Sequence, residues 1–137
     1  MMKTARLSLI ATLALIACGG PLKYQLASSA KAPGADAQIV ADVKDDQKLT
    51  LLQVEITNLA PPKRISEGAT HFVAWQRKND GASWSHIGDL QYEESSRKGK
   101  LNGSVPETSF DFEVTAEKGD APASPSPDVV FSQRIAK

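Results

Sequence analysis

The side chains in this sequence that could do chemistry are a single cysteine, Cys18, two histidines, His71 and His86, two tryptophans, Trp75 and Trp84, and a few hydroxyl and acidic clusters. The histidines flank the turn residues Asn79, Asp80 and Gly81, so a hairpin there brings two imidazoles near each other. A stable metal site needs further ligands from His, Cys or carboxylate, and none of metal-ligand spacing stands beside them. Surface or strand-edge histidines are the expectation, with no metal. The segment "GASWS" (81–85) lacks the Gly-x-Ser-x-Gly order of a nucleophile elbow, which also needs a strand-to-helix turn. Asp45-Asp46 and Glu93-Glu94 fall in polar turns, where neighbouring carboxylates are solvated, and neither has the register of a Ca²⁺ loop. The inventory therefore predicts no catalytic residues, no cofactor and no enzyme. Trp75, near Phe72 and Val73 on an apolar run, is expected in a core. Trp84 follows the turn, and is either packing at one end of the domain or a contact that stacks on a sugar or peptide ligand.

Cys18 is read from what precedes it. Residues 1–6 carry Lys3 and Arg6 and no acid, and 7–17 are apolar except for Ser8 and Thr12. A short basic segment followed by such a run is the pattern of a secretory signal peptide. A membrane-spanning helix needs about 20 apolar residues, and this run has little more than half that. The run closes on Leu15-Ile16-Ala17-Cys18, which resembles the lipobox of bacterial lipoproteins. The resemblance implies that the thiol of Cys18 receives a diacylglyceryl group, and that cleavage after residue 17 leaves Cys18 as the acylated first residue. The alternative is an ordinary signal peptide whose cleavage site lies beside a buried free cysteine. Each buried acyl methylene stabilises membrane association by about 0.8 kcal/mol, and one chain alone holds marginally, so two or three chains make a durable anchor. Gly19 follows the cysteine. In Gram-negative lipoproteins an Asp there commonly retains the protein in the inner membrane; the resemblance therefore implies the cell envelope, and the absence of that Asp favours, if the source is Gram-negative, the outer membrane facing periplasm or surface.

Loss of Lys3 and Arg6 with the signal leaves fourteen basic residues against sixteen acidic ones. That balance gives no basic footprint for nucleic acid and no polybasic supplement to a lipid anchor. The expected partners are the membrane and an envelope protein or glycan. With no cysteine pair, no disulfide constrains the unfolded chain, and stability must come from apolar burial and backbone pairing.

The elements that would position these residues are short runs of period two. Residues 18–34, rich in Gly, Ala, Ser and Pro, read as a lipidated N-terminus and flexible tether; the alternative is that Leu22, Tyr24 and Leu26 alternate as a first strand. From residue 35 the alternation is plain. Ala37, Ile39, Ala41 and Val43 precede the polar turn "KDDQK", and Leu52, Val54 and Ile56 follow it until "NLAPP" stops the run. "HFVAWQRK" (71–78) and "SWSHIGDLQY" (83–92) read as a hairpin across Asn79-Asp80-Gly81. "EESSRKGK" (93–100) reads as a polar connection and 101–105 as a short, weak strand. Phe110, Phe112, Val114 and Ala116 give the clearest amphipathic strand; "KGDAPASPSPD" is a proline-rich loop, and Val129, Phe131, Gln133 and Ile135 lie along the last strand. Six to eight strands without helical spacing predict an all-β domain over 35–137, an antiparallel β-sandwich of immunoglobulin or fibronectin type, with a closed barrel as runner-up.

Two segments, "HFVAWQRKNDGASWSHIGDL" (71–90) and "FEVTAEKGDAPASPSPDVVF" (112–131), together resemble the extracytoplasmic C-terminal domain of anti-sigma-K factor type proteins. The resemblance implies a fold and an extracytoplasmic location, with no catalytic residues to map. It does not extend to sigma-factor sequestration, because those proteins carry a cytoplasmic sigma-binding segment and a spanning helix that this chain replaces with a lipid anchor. It also departs at Gly119-Asp120, where paired glycines are frequent, and at His71, where a tyrosine is common. The reading as a whole is a membrane-anchored, non-enzymatic interaction or structural module, or else a carbohydrate or peptidoglycan binder that uses Trp84; an envelope enzyme or metal protein is disfavoured.

Overall fold

The computed structural model describes residues 20–120 and 122–137. The signal segment and lipobox, Cys18 included, lie outside the described residues. The alternating runs become strands β1 (Leu22–Ala27), β2 (Asp36–Lys44), β3 (Leu49–Thr57), β4 (His71–Arg77), β5 (Ser85–Asp89), β6 (Gln91–Glu93), β7 (Lys98–Val105), β8 (Phe110–Glu117) and β9 (Val129–Ile135). A single helical turn, α1 (Pro62–Ile65), follows β3, where Pro61 and Pro62 cannot extend the ladder. The strands form a five-stranded sheet, β1-β2-β3-β7-β6, and a four-stranded sheet, β5-β4-β8-β9, antiparallel throughout. The protein is thus an all-β sandwich. Taking β2-β3-β7-β6 as one layer and β4-β8-β9 as the other gives the immunoglobulin arrangement, with β1 added to one edge and β5 to another.

Register follows from the apolar alternation, because a one-residue slip would turn every inward side chain to solvent. Ala37, Ile39 and Ala41 of β2 stand opposite Ile56, Val54 and Leu52 of β3, all buried. The facing sheet contributes Phe72 and Ala74 from β4, Phe110, Phe112, Val114 and Ala116 from β8, and Phe131 and Ile135 from β9. Where β7 meets the other layer, glycines make room for larger neighbours. A Cβ on Gly99 would come within 2.9 Å of Leu90 Cδ2, and one on Gly103 within 3.1 Å of Ile87 Cγ2.

Three expectations are corrected. Residues 22–27, read as part of the 18–34 tether, form β1, paired along its whole length with β2, so the sandwich starts at Leu22 rather than at 35. Leu22, Tyr24 and Leu26 lie beside Ala41, Ile39 and Ala37, whose small or branched side chains leave apolar surface for β1 to cover. Residues 28–35 then return the chain through the Ser28 N–H to Ala35 O bond, with Ala32 and Ala35 buried.

The run 83–92 is two strands in different sheets. It breaks at the buried Leu90, whose N–H donates to Phe72 O, and β6 continues beside β7. The weak strand at 101–105 is an eight-residue strand lying between β3 and β6, and it takes in residues 98–100 of the supposed polar connection. Gly99 and Gly103 weaken its strand signal in sequence, yet the close approach of Leu90 and Ile87 requires them.

Removing residues 20–27 tests the first correction. Three half-buried apolar side chains contribute about 1 kcal/mol each. A chain starting at Ser28 should therefore lose about 3 kcal/mol in urea unfolding, whereas loss of a mere tether would leave the midpoint unchanged.

Candidate functional site

The outward face of the four-stranded sheet is where chemistry-bearing side chains gather. Register puts His71, Val73, Trp75 and Arg77 of β4 opposite Glu117, Thr115, Glu113 and Asp111 of β8, all on the side away from the other sheet. Val73 and Trp75 are nevertheless fully buried, although they stand outside the inter-sheet core. The Trp75 indole N–H donates to Thr115 Oγ1 at 2.9 Å, and the Thr115 hydroxyl donates in turn to Glu117 Oε2. Glu117 also accepts the Ser126 N–H at 2.8 Å, and the Ser126 hydroxyl donates to Ala116 O. The Trp75 and His86 rings meet in a T-shaped arrangement with centroids 5.6 Å apart. Trp75 is thus buried as expected, but on the face opposite the one a sandwich core offers.

At the upper end of this face the two histidines converge on one carboxylate. His71 Nδ1 lies 3.0 Å from Asp89 Oδ2, and His86 Nε2 lies 3.4 Å from Asp89 Oδ1. His71 Nε2 meets Gly119 O at 2.6 Å, so both ring nitrogens face acceptors, which only the imidazolium satisfies together. Burial opposes that charge, but the hydrogen bonds to Asp89 and Gly119 and the charges of Asp89 and Asp120 outweigh it, so the His71 pKa is raised. Among the described residues no group of three or more His, Cys, Asp or Glu is placed to hold a metal ion.

At the lower end lies an open groove of about 440 Å³, lined by Arg77, Trp84, Asp111, Glu113, Ser132 and Arg134, among others. Asp111 accepts from Arg77 Nε at 2.9 Å and from Arg134 Nη1 at 3.2 Å. The Arg77 guanidinium stacks over Trp84, 4.5 Å from the ring centroid, so one face of that half-buried ring is occupied. With both arginines committed to Asp111, Glu113 has no ion pair among the described residues, although only 9% of its surface is exposed. Burial raises its pKa, Arg77 opposes the rise, and Glu117 and Asp111 reinforce it. The groove can therefore offer an aromatic edge, a buried carboxyl group whose pKa is raised, and fixed guanidinium donors.

Of the residues singled out from sequence, Trp84 lines this groove and Cys18 lies outside the described residues. Asp45 sits in an exposed turn 2.8 Å from Lys137 Nζ, and Glu94 is an exposed side chain 3.8 Å from Lys63 Nζ. The sequence reading missed Arg77, Asp89, Asp111, Glu113 and Arg134. Asp111 and Glu113 are the polar half of an alternating strand, and alternation marks that half as solvated; their burial comes from neighbours on β4 and β9. No family model, curated protein or solved structure matches the chain.

Folding favours protonated Glu113, so its contribution to stability is complete below the ordinary carboxylate range near pH 4 and is lost as pH climbs through the raised pKa. At neutral pH the buried charge is a cost. Glu113→Gln should therefore stabilise the protein by about 1 kcal/mol at pH 7, with the gain shrinking toward zero below pH 4. Urea titrations at several pH values measure it.

Proposed function

We propose that this chain is an envelope lipoprotein, held to its membrane through Cys18, whose β-sandwich is a non-enzymatic interaction or structural module. The observation that carries the proposal is the basic segment and apolar run ending on Leu15-Ile16-Ala17-Cys18, placed directly before a sandwich whose first strand begins at Leu22. The single cysteine fits this reading, since it is consumed as an attachment point and the fold takes its stability from apolar strands instead of a disulfide. The resemblance of 71–90 and 112–131 to an extracytoplasmic domain agrees with the same location. Gly19 favours an outer membrane if the cell is Gram-negative.

Replacement of Cys18 by Ser in the expressed full chain should block acylation and move the protein from the detergent phase to the aqueous phase. Unchanged partitioning into detergent would sink the anchor.

A second reading, a module that binds carbohydrate or peptidoglycan, is favoured by the groove itself. Trp84 offers apolar area beside Asp111, Glu113 and the arginines, which are groups that hydrogen-bond hydroxyls. In this reading Trp84→Ala, with its thermal unfolding checked for an intact fold, should lose at least tenfold in binding to isolated cell-wall material. Equal retention by wild type and variant would count decisively against a glycan site at Trp84.

A further inference from the structure

We infer that the Leu22 end of the sandwich is apposed to the lipid headgroups, and that the opposite end is the surface turned toward soluble partners. The inference rests on the reading of Cys18 as the acylated residue and adds to it an orientation. In the sequence only Gly19, Gly20 and Pro21 separate Cys18 from Leu22. Four peptide steps reach at most about 14 Å even when fully extended. A tether running to residue 34 would have let the domain turn freely; the incorporation of 22–27 into β1 removes that freedom.

The ladder fixes which end is near. β1 runs from Leu22, opposite Ala41, to Ala27, opposite Asp36, so Leu22 lies toward the end of the sandwich that carries the β2–β3 turn at 45–48. Other connections share this end. Asp45 in that turn pairs with Lys137 at 2.8 Å, and Tyr24 Oη lies 3.4 Å from Ala136 O, which ties the end of β9 to it. Thr50 Oγ1 donates to Glu107 O, bringing in the 106–109 connection, and Arg134 Nη1 donates to Lys78 O, bringing in the 78–84 loop with Trp84. The opposite end carries 28–35, 58–70, 94–97 and the 118–128 loop, joined by Ser29 N–H to Val130 O, Leu59 N–H to Arg97 O and Thr70 N–H to Glu117 O. A nine-residue strand spans about 27 Å, nearly twice the reach of the link.

The near end suits apposition to a membrane, not independent capture by one. Lys44, Lys48, Lys78 and Lys137 alternate with Asp45, Asp46 and Asp80, a mixed surface that neither draws the domain onto anionic lipid nor repels it. The acyl chains supply the hold, and the short link supplies the direction. Trp84 is carried on the membrane-facing end, where an amphipathic ring is at home among headgroups.

The experiment uses the full-length lipidated protein in vesicles of phosphatidylethanolamine and phosphatidylglycerol. Because the only native thiol is taken up by the lipid, a cysteine introduced by Asp46→Cys or Ser95→Cys labels uniquely; both sites are exposed turn residues. A fluorophore at position 46 should be quenched several-fold more strongly than one at 95 by a headgroup-attached, short-range nitroxide quencher. Asp80→Cys and Ser124→Cys repeat the comparison at independent sites on the two ends. Equal quenching at the two ends, or stronger quenching at 95 and 124, overturns the orientation while leaving the anchor standing. A protein that fails to cofractionate with vesicles and behaves like its Cys18→Ser variant overturns the anchor and the orientation together.

Discussion

Strand β8 is covered on both faces, and the arrangement of the four-stranded sheet depends on that double cover. Its inward side chains, Phe110, Phe112, Val114 and Ala116, complete the inter-sheet core. Its outward ones, Glu113, Thr115 and Glu117, are buried too, although their polarity would place them in water. Thr115 and Glu117 pass a hydrogen-bond chain from the Trp75 indole to the Ser126 backbone, and among the described residues no buried side-chain nitrogen or oxygen lacks a hydrogen-bond partner. The 118–128 connection is pinned to this face at Gly119 by His71 and at Ser126 by Glu117.

The groove lies where this cover ends. Between the hydrogen-bonded Thr115 and the ion-paired Asp111, Glu113 is buried with no ion pair among the described residues, and Arg77 divides its charge among Asp111, Asp80 and the Trp84 ring. A cluster of alternating sign on a sheet face would ordinarily be a solvated surface network of small energetic weight. Here the walls of Trp84 and β9 lower the solvation of one member, and that member is the acid whose pKa rises. The same geometry places in the groove a buried carboxyl group that has no ion pair among the described residues.

The first strand connects this architecture to the proposed anchor. β1 is an edge strand with half-buried side chains, added beyond the β2-β3-β7-β6 layer of an immunoglobulin arrangement. Its presence turns what composition suggested was a spacer into a rigid start of the domain. Under the proposed anchor, so short a link would commit one end of the module to the bilayer.

Much of the fold was legible from residue order. Period-two alternation marked β2, β3, β8 and β9 because each has one face in the core, and the breakers at 58–62 and 79–81 marked the ends of β3 and β4. The basic segment, the apolar run and the Leu15-Ile16-Ala17-Cys18 ending are likewise features of residue order, and the lipid anchor proposed from them rests on that order. What residue order left open was everything set by neighbours remote in sequence. Alternation shows that a strand has two faces, but not whether a second layer covers the other one, so Trp75 was expected inside and found buried outside. It could not show that Leu22, Tyr24 and Leu26 would be held by β2, that the chain would change sheets at Leu90, or that Arg77, Asp111, Glu113 and Arg134 would meet. Those outcomes depend on long-range register, which pairs residues by the fit of whole faces; no local segment carries that information.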